Sequence, residues 1–187
     1  MKLAISILLC LTFSGCSTQY IYNDTKYPTP EEALAAQSKE YEEQLAHIEP
    51  AAERIGGRAL VVLPDRARYI DMIVALPMYK RTHESSLNYV AATNEALALQ
   101  LANILKKRNF FDQVDVQRVH SNVAPQSDAD YVIWPYMGNP RRTEWYFLKK
   151  GAAERKVIPQ GLGLKMNERL IFMANSIFAL AKESRTH

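Results

Sequence analysis

Thiols are all but absent from this chain. Its 187 residues include two cysteines, Cys10 and Cys16, and both fall in the first sixteen positions. The remainder therefore folds without a disulfide framework. Long apolar runs are missing too. Beyond the N-terminus no stretch reaches the ~18 apolar residues that would mark a membrane-spanning helix. Catalytic signatures are equally scarce. His83-Glu84 lacks the second histidine of H-E-x-x-H, and no G-x-S-x-G nucleophile elbow occurs. Gly161-Leu162-Gly163 is too short for a phosphate-cradling G-x-G-x-x-G loop and reads as a turn. His47, His83, His120 and His187 are scattered. No metal or other cofactor is expected, and no nucleic-acid-binding signature is recognisable.

What is present begins at the N-terminus. Lys2 supplies a positive charge, and residues 3–13 form an apolar run interrupted only by Ser6 and Thr12. A bilayer span needs about 20 apolar residues, so this run suits the core of a signal peptide instead. It closes on Phe13-Ser14-Gly15-Cys16, with small residues before the cysteine. This resembles the lipobox of bacterial lipoproteins, although Phe13 stands where leucine is usual. The resemblance implies cleavage before Cys16, diacylation of its thiol and acylation of the new N-terminus. An ordinary secretory signal cleaved near Gly15 is the alternative, and it would leave Cys16 as a free thiol. Lipidation removes that thiol from catalysis, and two or three acyl chains make a stable anchor where one does not. By resemblance to enterobacterial sorting rules, Ser17 rather than aspartate after the cysteine implies sorting to the outer membrane, with the domain facing the periplasm.

Charge is distributed unevenly. Residues 16–50 carry seven acids and two bases, a net −5, while residues 51–187 carry a net +7. The basic part could face an anionic surface, but a solvated exterior offset by the acidic segment explains it as well.

The expected organisation is a signal peptide (1–15), a lipidated tether (16–29), an acidic helix with its linker (30–57) and one αβ domain (58–187). Residues 17–28 are polar with Tyr20, Tyr22 and Tyr27 interleaved, and these rings could rest at a membrane interface or dock on the domain. Thr29-Pro30-Glu31-Glu32 is a capping box with proline at the first helical position, predicting a helix to about His47 with Leu34, Tyr41, Leu45 and Ile48 on its apolar stripe. That helix either packs on the domain or forms a semi-detached arm. Gly56-Gly57 breaks the chain, and residues 58–64 follow as a strand buried on both faces. Residues 70–76 could be strand or helix, and 78–86 form a polar loop. Residues 87–108 read as a helix ending in Lys106-Lys107-Arg108, where cations complement the helix dipole. Residues 110–116 enter an edge strand. Residues 131–134 form another strand halted by Pro135, and residues 143–148 a further one. Lys149-Lys150-Gly151 turns the chain into residues 155–158, and Asn167 caps a last helix reaching about Glu183. That helix is apolar around most of its circumference, so it is either deeply buried or partnered. The fold class is α/β or α+β, a mixed sheet with helices packed on it.

The buried strand at 59–63, the long helix, the turn into Phe110-Phe111-Asp112-Gln113-Val114 and then Ala129-Asp130-Tyr131-Val132-Ile133 resemble the envelope domain shared by the TolB N-terminal domain, the penicillin-binding-protein activator LpoB and the curli secretion lipoprotein CsgG. The likeness spans about residues 58–134. It implies helices on a sheet and a role in periplasmic protein contact rather than catalysis. No membrane-hairpin segments of a secretion pore are recognisable.

Site candidates follow. Cys16 is the lipidation site. Trp134, Tyr136 and Trp145 near Arg141 and Arg142 could form a recognition surface, because Trp, Tyr and Arg dominate interface hot spots; core packing is the competing reading. The expected partners are the membrane, through the anchor, and an unidentified periplasmic or outer-membrane protein. Two other readings compete. One is a hydrolase of envelope polymer using His83, Glu84 or Glu144. The other is a structural accessory of a flagellar or secretion machine contacted through the acidic helix.

Overall fold

The computed structural model describes residues 20–22, 24–64, 70, 84–119, 127–136, 143–161 and 163–185. The expected Cys16 lipidation site, His83, His120, Arg141, Arg142 and most of residues 65–83 lie outside these.

The frame is a five-stranded mixed sheet of order β4-β3-β5-β6-β7. Its strands are β3 (Arg58–Pro64), β4 (Gln113–Val119), β5 (Tyr131–Tyr136), β6 (Glu144–Lys149) and β7 (Lys156–Val157). The apolar strand β3 lies at the centre of a parallel trio, paired with β4 on one side and β5 on the other. Its Ala59, Leu60, Val61, Val62 and Leu63 are all buried, as a strand covered on both faces requires. β6 and β7 continue the sheet antiparallel. With the helices, this is the expected α+β class.

Two helices cover one face: α2 (Glu84–Arg108), which links β3 to β4, and α3 (Met166–Glu183). The core between them and the sheet contains Leu101, Leu105, Met173 and Ile177 opposite Ala59, Val61, Ile133, Trp145 and Phe147. Phe110 and Phe111 precede β4 rather than open it. Both are buried, with Phe110 against Phe178 and Phe111 against Tyr131. α2 begins three residues earlier than its pattern suggested. At α3 the cap is Lys165, not Asn167. Lys165 N–H donates to the Glu168 carboxylate at 3.3 Å, and Asn167 sits one residue inside the helix.

β5 runs through Pro135 instead of stopping there. Pro135 lies opposite Trp145, whose carbonyl accepts from Ile158 on the β7 side. The Pro135–Trp145 pair is therefore a non-hydrogen-bonded one, and the missing proline N–H faces away from β6. On that other side, pairing to β3 has already ended at Ile133. The sheet loses no hydrogen bond to the proline.

The N-terminal segment belongs to the same packed body. β1 (Tyr20–Tyr22) and β2 (Thr25–Tyr27) form an antiparallel hairpin beside α1 (Pro30–Ala46). Thr29 caps α1, accepting from Glu32 N–H at 3.3 Å. Tyr20 and Tyr22 are buried, and the Tyr22 hydroxyl donates to Glu40 at 2.7 Å, so these rings dock on the protein. α1 packs on α2 and α3 through Ala33, Gln37, Tyr41 and Leu45, an i, i+4 row. The inner stripe thus runs through Ala33 and Gln37 rather than Leu34. Gln37 donates to Gln100 inside this seam, and Gln44 donates to the Asn167 carbonyl at 2.6 Å. Ile48 and Ile55 join the main core. Of the two placements open to the acidic helix, these contacts are those of a helix packed on the domain.

Where β3 starts, two carboxylates pin the backbone. Gly56 and Gly57 have φ of 76° and 77°. Asp112 accepts from Gly57 N–H at 2.6 Å, and Asp130 accepts from Arg58 N–H at 2.8 Å.

Candidate functional site

The aromatic residues that looked like one surface are divided between the two faces of the sheet. β5 and β6 pair with Trp134 opposite Tyr146 and Pro135 opposite Trp145. Directly opposed residues share a face and neighbours alternate. Trp134, Tyr136 and Tyr146 therefore lie on the face away from α2 and α3, whereas Trp145 points into the helix-covered core, 1% exposed. Trp145 is a packing residue and forms no surface with the other two.

On the far face, Trp134 and Tyr146 rings lie 5.5 Å apart and Tyr136 meets Tyr146 edge-on at 5.6 Å. Arg155 brings a cation to this face, with its guanidinium 4.0 Å from the Tyr146 ring centroid and 5.4 Å from that of Tyr136. Glu144 accepts from the Tyr146 hydroxyl at 2.7 Å. That bond favours the neutral phenol, so it raises the Tyr146 pKa, with burial adding to it. Trp134 is only 2% exposed, and among the described residues its indole N–H has no acceptor. A partner could reach Tyr136 and Arg155 at the rim but not Trp134. Of the hydrolase candidates, only Glu144 has a described side chain, and its carboxylate is engaged by Tyr146.

A different constellation forms where α1, α2 and α3 converge. The end of α1 contributes His47, Ile48 and Glu49; α2 contributes Ile104 and Arg108; α3 contributes Ile171, Ala174 and Asn175. They enclose a cleft of about 200 Å³. Its floor is apolar and buried: Ile48, Ile104 and Ala174. Its rim is exposed: His47, Glu49, Ile171 and Asn175. Arg108 forms one wall. One guanidinium nitrogen donates to the Glu49 carbonyl at 3.3 Å, and the group lies 5.2 Å from the Phe110 ring centroid. The Arg108 Nε–H is buried and, among the described residues, has no acceptor. A buried guanidinium donor without a partner is costly, and the packing of Phe110 and Glu49 around Arg108 carries that cost.

Beside the cleft, α3 leaves apolar area in solvent. Ile171 on the rim is 37% exposed and Phe172 40%. Leu164, also exposed, and Phe172 both lie against Gly161. The last helix is thus buried along Leu170, Met173, Ala174, Ile177 and Ala181 and exposed along Ile171 and Phe172.

Arg108 escaped the sequence reading because the dipole of α2 already explains a terminal cation. Its position beside Glu49 depends on Ala51 N–H donating to the Arg108 carbonyl at 2.8 Å, a contact across 57 positions. A larger hollow of about 430 Å³ is lined by Lys149, Lys150, Lys156 and Ser184. Its lysines already hold the chain together: Lys149 meets the Ser184 carbonyl, Lys150 the Asp128 carbonyl and Lys156 the Glu183 carboxylate. Among the described residues, no group of three or more His, Cys, Asp or Glu could hold a metal, and no helix is long and apolar enough to cross a membrane.

No protein-family model, curated protein or solved structure matches this chain.

Proposed function

We propose that this protein is an outer-membrane lipoprotein, anchored through Cys16, whose αβ body is a non-catalytic docking module for a periplasmic or outer-membrane protein. The cleft between α1, α2 and α3 carries this reading. Sites for whole small molecules usually occupy ~300–1,000 Å³. A cleft of about 200 Å³ with an apolar floor instead suits one or two apolar side chains of a partner. The Arg108 guanidinium that lines the cleft would offer its charge to a carbonyl or carboxylate of the same segment. Ile171 and Phe172 would add contact area beside it. The lipobox and the resemblance to envelope lipoprotein domains support the same reading.

A photocrosslinking residue placed at position 171 of the lipidated protein tests it in cells. The expected result is an adduct with one envelope protein that disappears when Arg108 is changed to Gln, while a crosslinker in the exposed turn at Glu154 gives none. An adduct insensitive to Arg108→Gln, or no adduct at position 171, would refute the assignment of this cleft. The accessory-machine reading predicts contact through the acidic outer side of α1, so a crosslinker at Glu42 or Glu43 that captures the partner in place of position 171 would favour it.

A further inference from the structure

The hairpin fixes how far the body can stand from its anchor. Tyr20 is already packed, buried against α1. Only Ser17, Thr18 and Gln19 separate it from Cys16. Four residue steps span at most about 14 Å when fully extended. A folded body of ~170 residues has a radius of gyration of about 15 Å, so it is roughly 40 Å across. A leash shorter than the body cannot let it turn over freely, and the region around Tyr20 stays nearest the membrane.

That region has a definite orientation. Tyr20 pairs with Tyr27, three residues before α1 begins, while Tyr22 reaches Glu40 farther along the helix. The hairpin therefore runs beside α1, and the leash leaves near the N-terminal end of the helix. The cleft lies at the other end, beyond Ala46. Seventeen helical residues at 1.5 Å each separate the two ends by about 25 Å. The hairpin's outward face carries Ile21, 57% exposed, directly opposite Lys26, which is also exposed. An apolar side chain beside an ammonium on a flexible stem suits a headgroup layer, where the apolar part enters the interface and the charge reaches lipid phosphate. The first turn of α1 carries the exposed acids Glu31 and Glu32, so attraction to anionic lipid is not what holds this face down.

We infer that the outward face of the β1–β2 hairpin, with Ile21 and Lys26, rests on the phospholipid headgroups of the membrane that carries the anchor, and that the Arg108 cleft is held at the opposite end of α1. This rests on the lipidation of Cys16 proposed above. A partner must then approach the cleft within a few tens of ångströms of the membrane.

The mature lipoprotein has no free thiol once Cys16 is acylated, because Cys10 lies in the removed segment. Ile21→Cys therefore creates a single labelling site, as does Glu49→Cys at the cleft. Each lipidated variant, carrying a small fluorophore, is reconstituted into phosphatidylethanolamine–phosphatidylglycerol vesicles with nitroxide-headgroup lipid, and palmitate incorporation is measured on the same samples. The expected result is several-fold stronger quenching at position 21 than at position 49. Inserting twenty Gly/Ser residues between Gln19 and Tyr20 adds a root-mean-square reach of roughly 25 Å and should abolish that difference. Equal quenching at the two sites in palmitate-labelled protein would overturn the orientation, and a position-21 signal unchanged by the insertion would overturn the short leash as its cause. Absence of palmitate would overturn the lipoprotein reading itself, and the orientation with it.

Discussion

Replacing Gly57 with alanine tests the architecture at the start of the central strand. Two separable effects oppose the new methyl. Gly57 has φ of 77°, and an L-residue in the left-handed region costs roughly 1–2 kcal/mol. The added Cβ would also stand 2.8 Å from the Asp130 carboxylate. That carboxylate accepts from Arg58 N–H at 2.8 Å, so it cannot withdraw without loosening the bond that sets β3 against the Asp130 turn. Losing most of one hydrogen bond at an exposed site adds about 1 kcal/mol, for a total near 2–3 kcal/mol. Gly56 is the internal control. Its φ is 76°, and its Cβ would meet Asp112 at 3.3 Å, a milder crowding than at Gly57, so Gly56→Ala should show mainly the backbone effect, about 1–2 kcal/mol. Urea unfolding followed by tryptophan fluorescence reports both, because Trp134 and Trp145 are buried. With a urea slope of ~2 kcal/mol per molar, the two midpoints should differ by about half a molar. In an Asp130→Ala background the extra cost of Gly57→Ala should vanish. Equal midpoints for the two single variants, or an undiminished cost without Asp130, would show that the contact with Asp130 does not matter.

Other expectations concern the seam, the core and the acid limb. Gln37→Leu alone leaves Gln100 without its partner in the α1–α2 seam and should destabilise by ~1–2 kcal/mol. The double change Gln37→Leu/Gln100→Leu should recover that loss in the same unfolding assay, since among the described residues the Gln37 carbonyl oxygen has no donor to lose. Trp145→Ala should cost about 3–5 kcal/mol as a core cavity, while Arg155→Ala on the far face stays within about 1 kcal/mol; similar losses would contradict the division of the aromatics between faces. The Gln113 amide, and next the Arg58 guanidinium, hold the Asp115 carboxyl below the ordinary carboxylate range. A depressed pKa gives stability that is present above the unfolded value and lost as pH falls through the folded one. Asp115→Asn should remove that part of the decline in acid, seen as a flatter stability profile in urea titrations at successive pH values. Glu144→Gln should bring the Tyr146 phenol back toward its ordinary titration range, read by alkaline ultraviolet difference spectra.

Much of the local structure was legible from the residues alone, because its causes are local. The Thr29–Glu32 cap with Pro30, the apolar run of β3 between glycine and proline, and the basic end of α2 act within a few positions of one another. They are enough to define the α+β class and most element boundaries. Tertiary structure decided which side chains meet. Sheet register alone places Trp134 with Tyr146 and sends Trp145 to the other face, since side chains alternate and one step of slip inverts them all. Pairing across the sheet also decides that Pro135 can stay inside β5, because its vacant donor side falls where the β3 ladder has ended. Docking of α1 brings His47 and Glu49 to Arg108, and it decides between the packed helix and the semi-detached arm that the sequence left open. Such contacts span tens of positions, and their energies depend on shape and burial that no window of sequence carries.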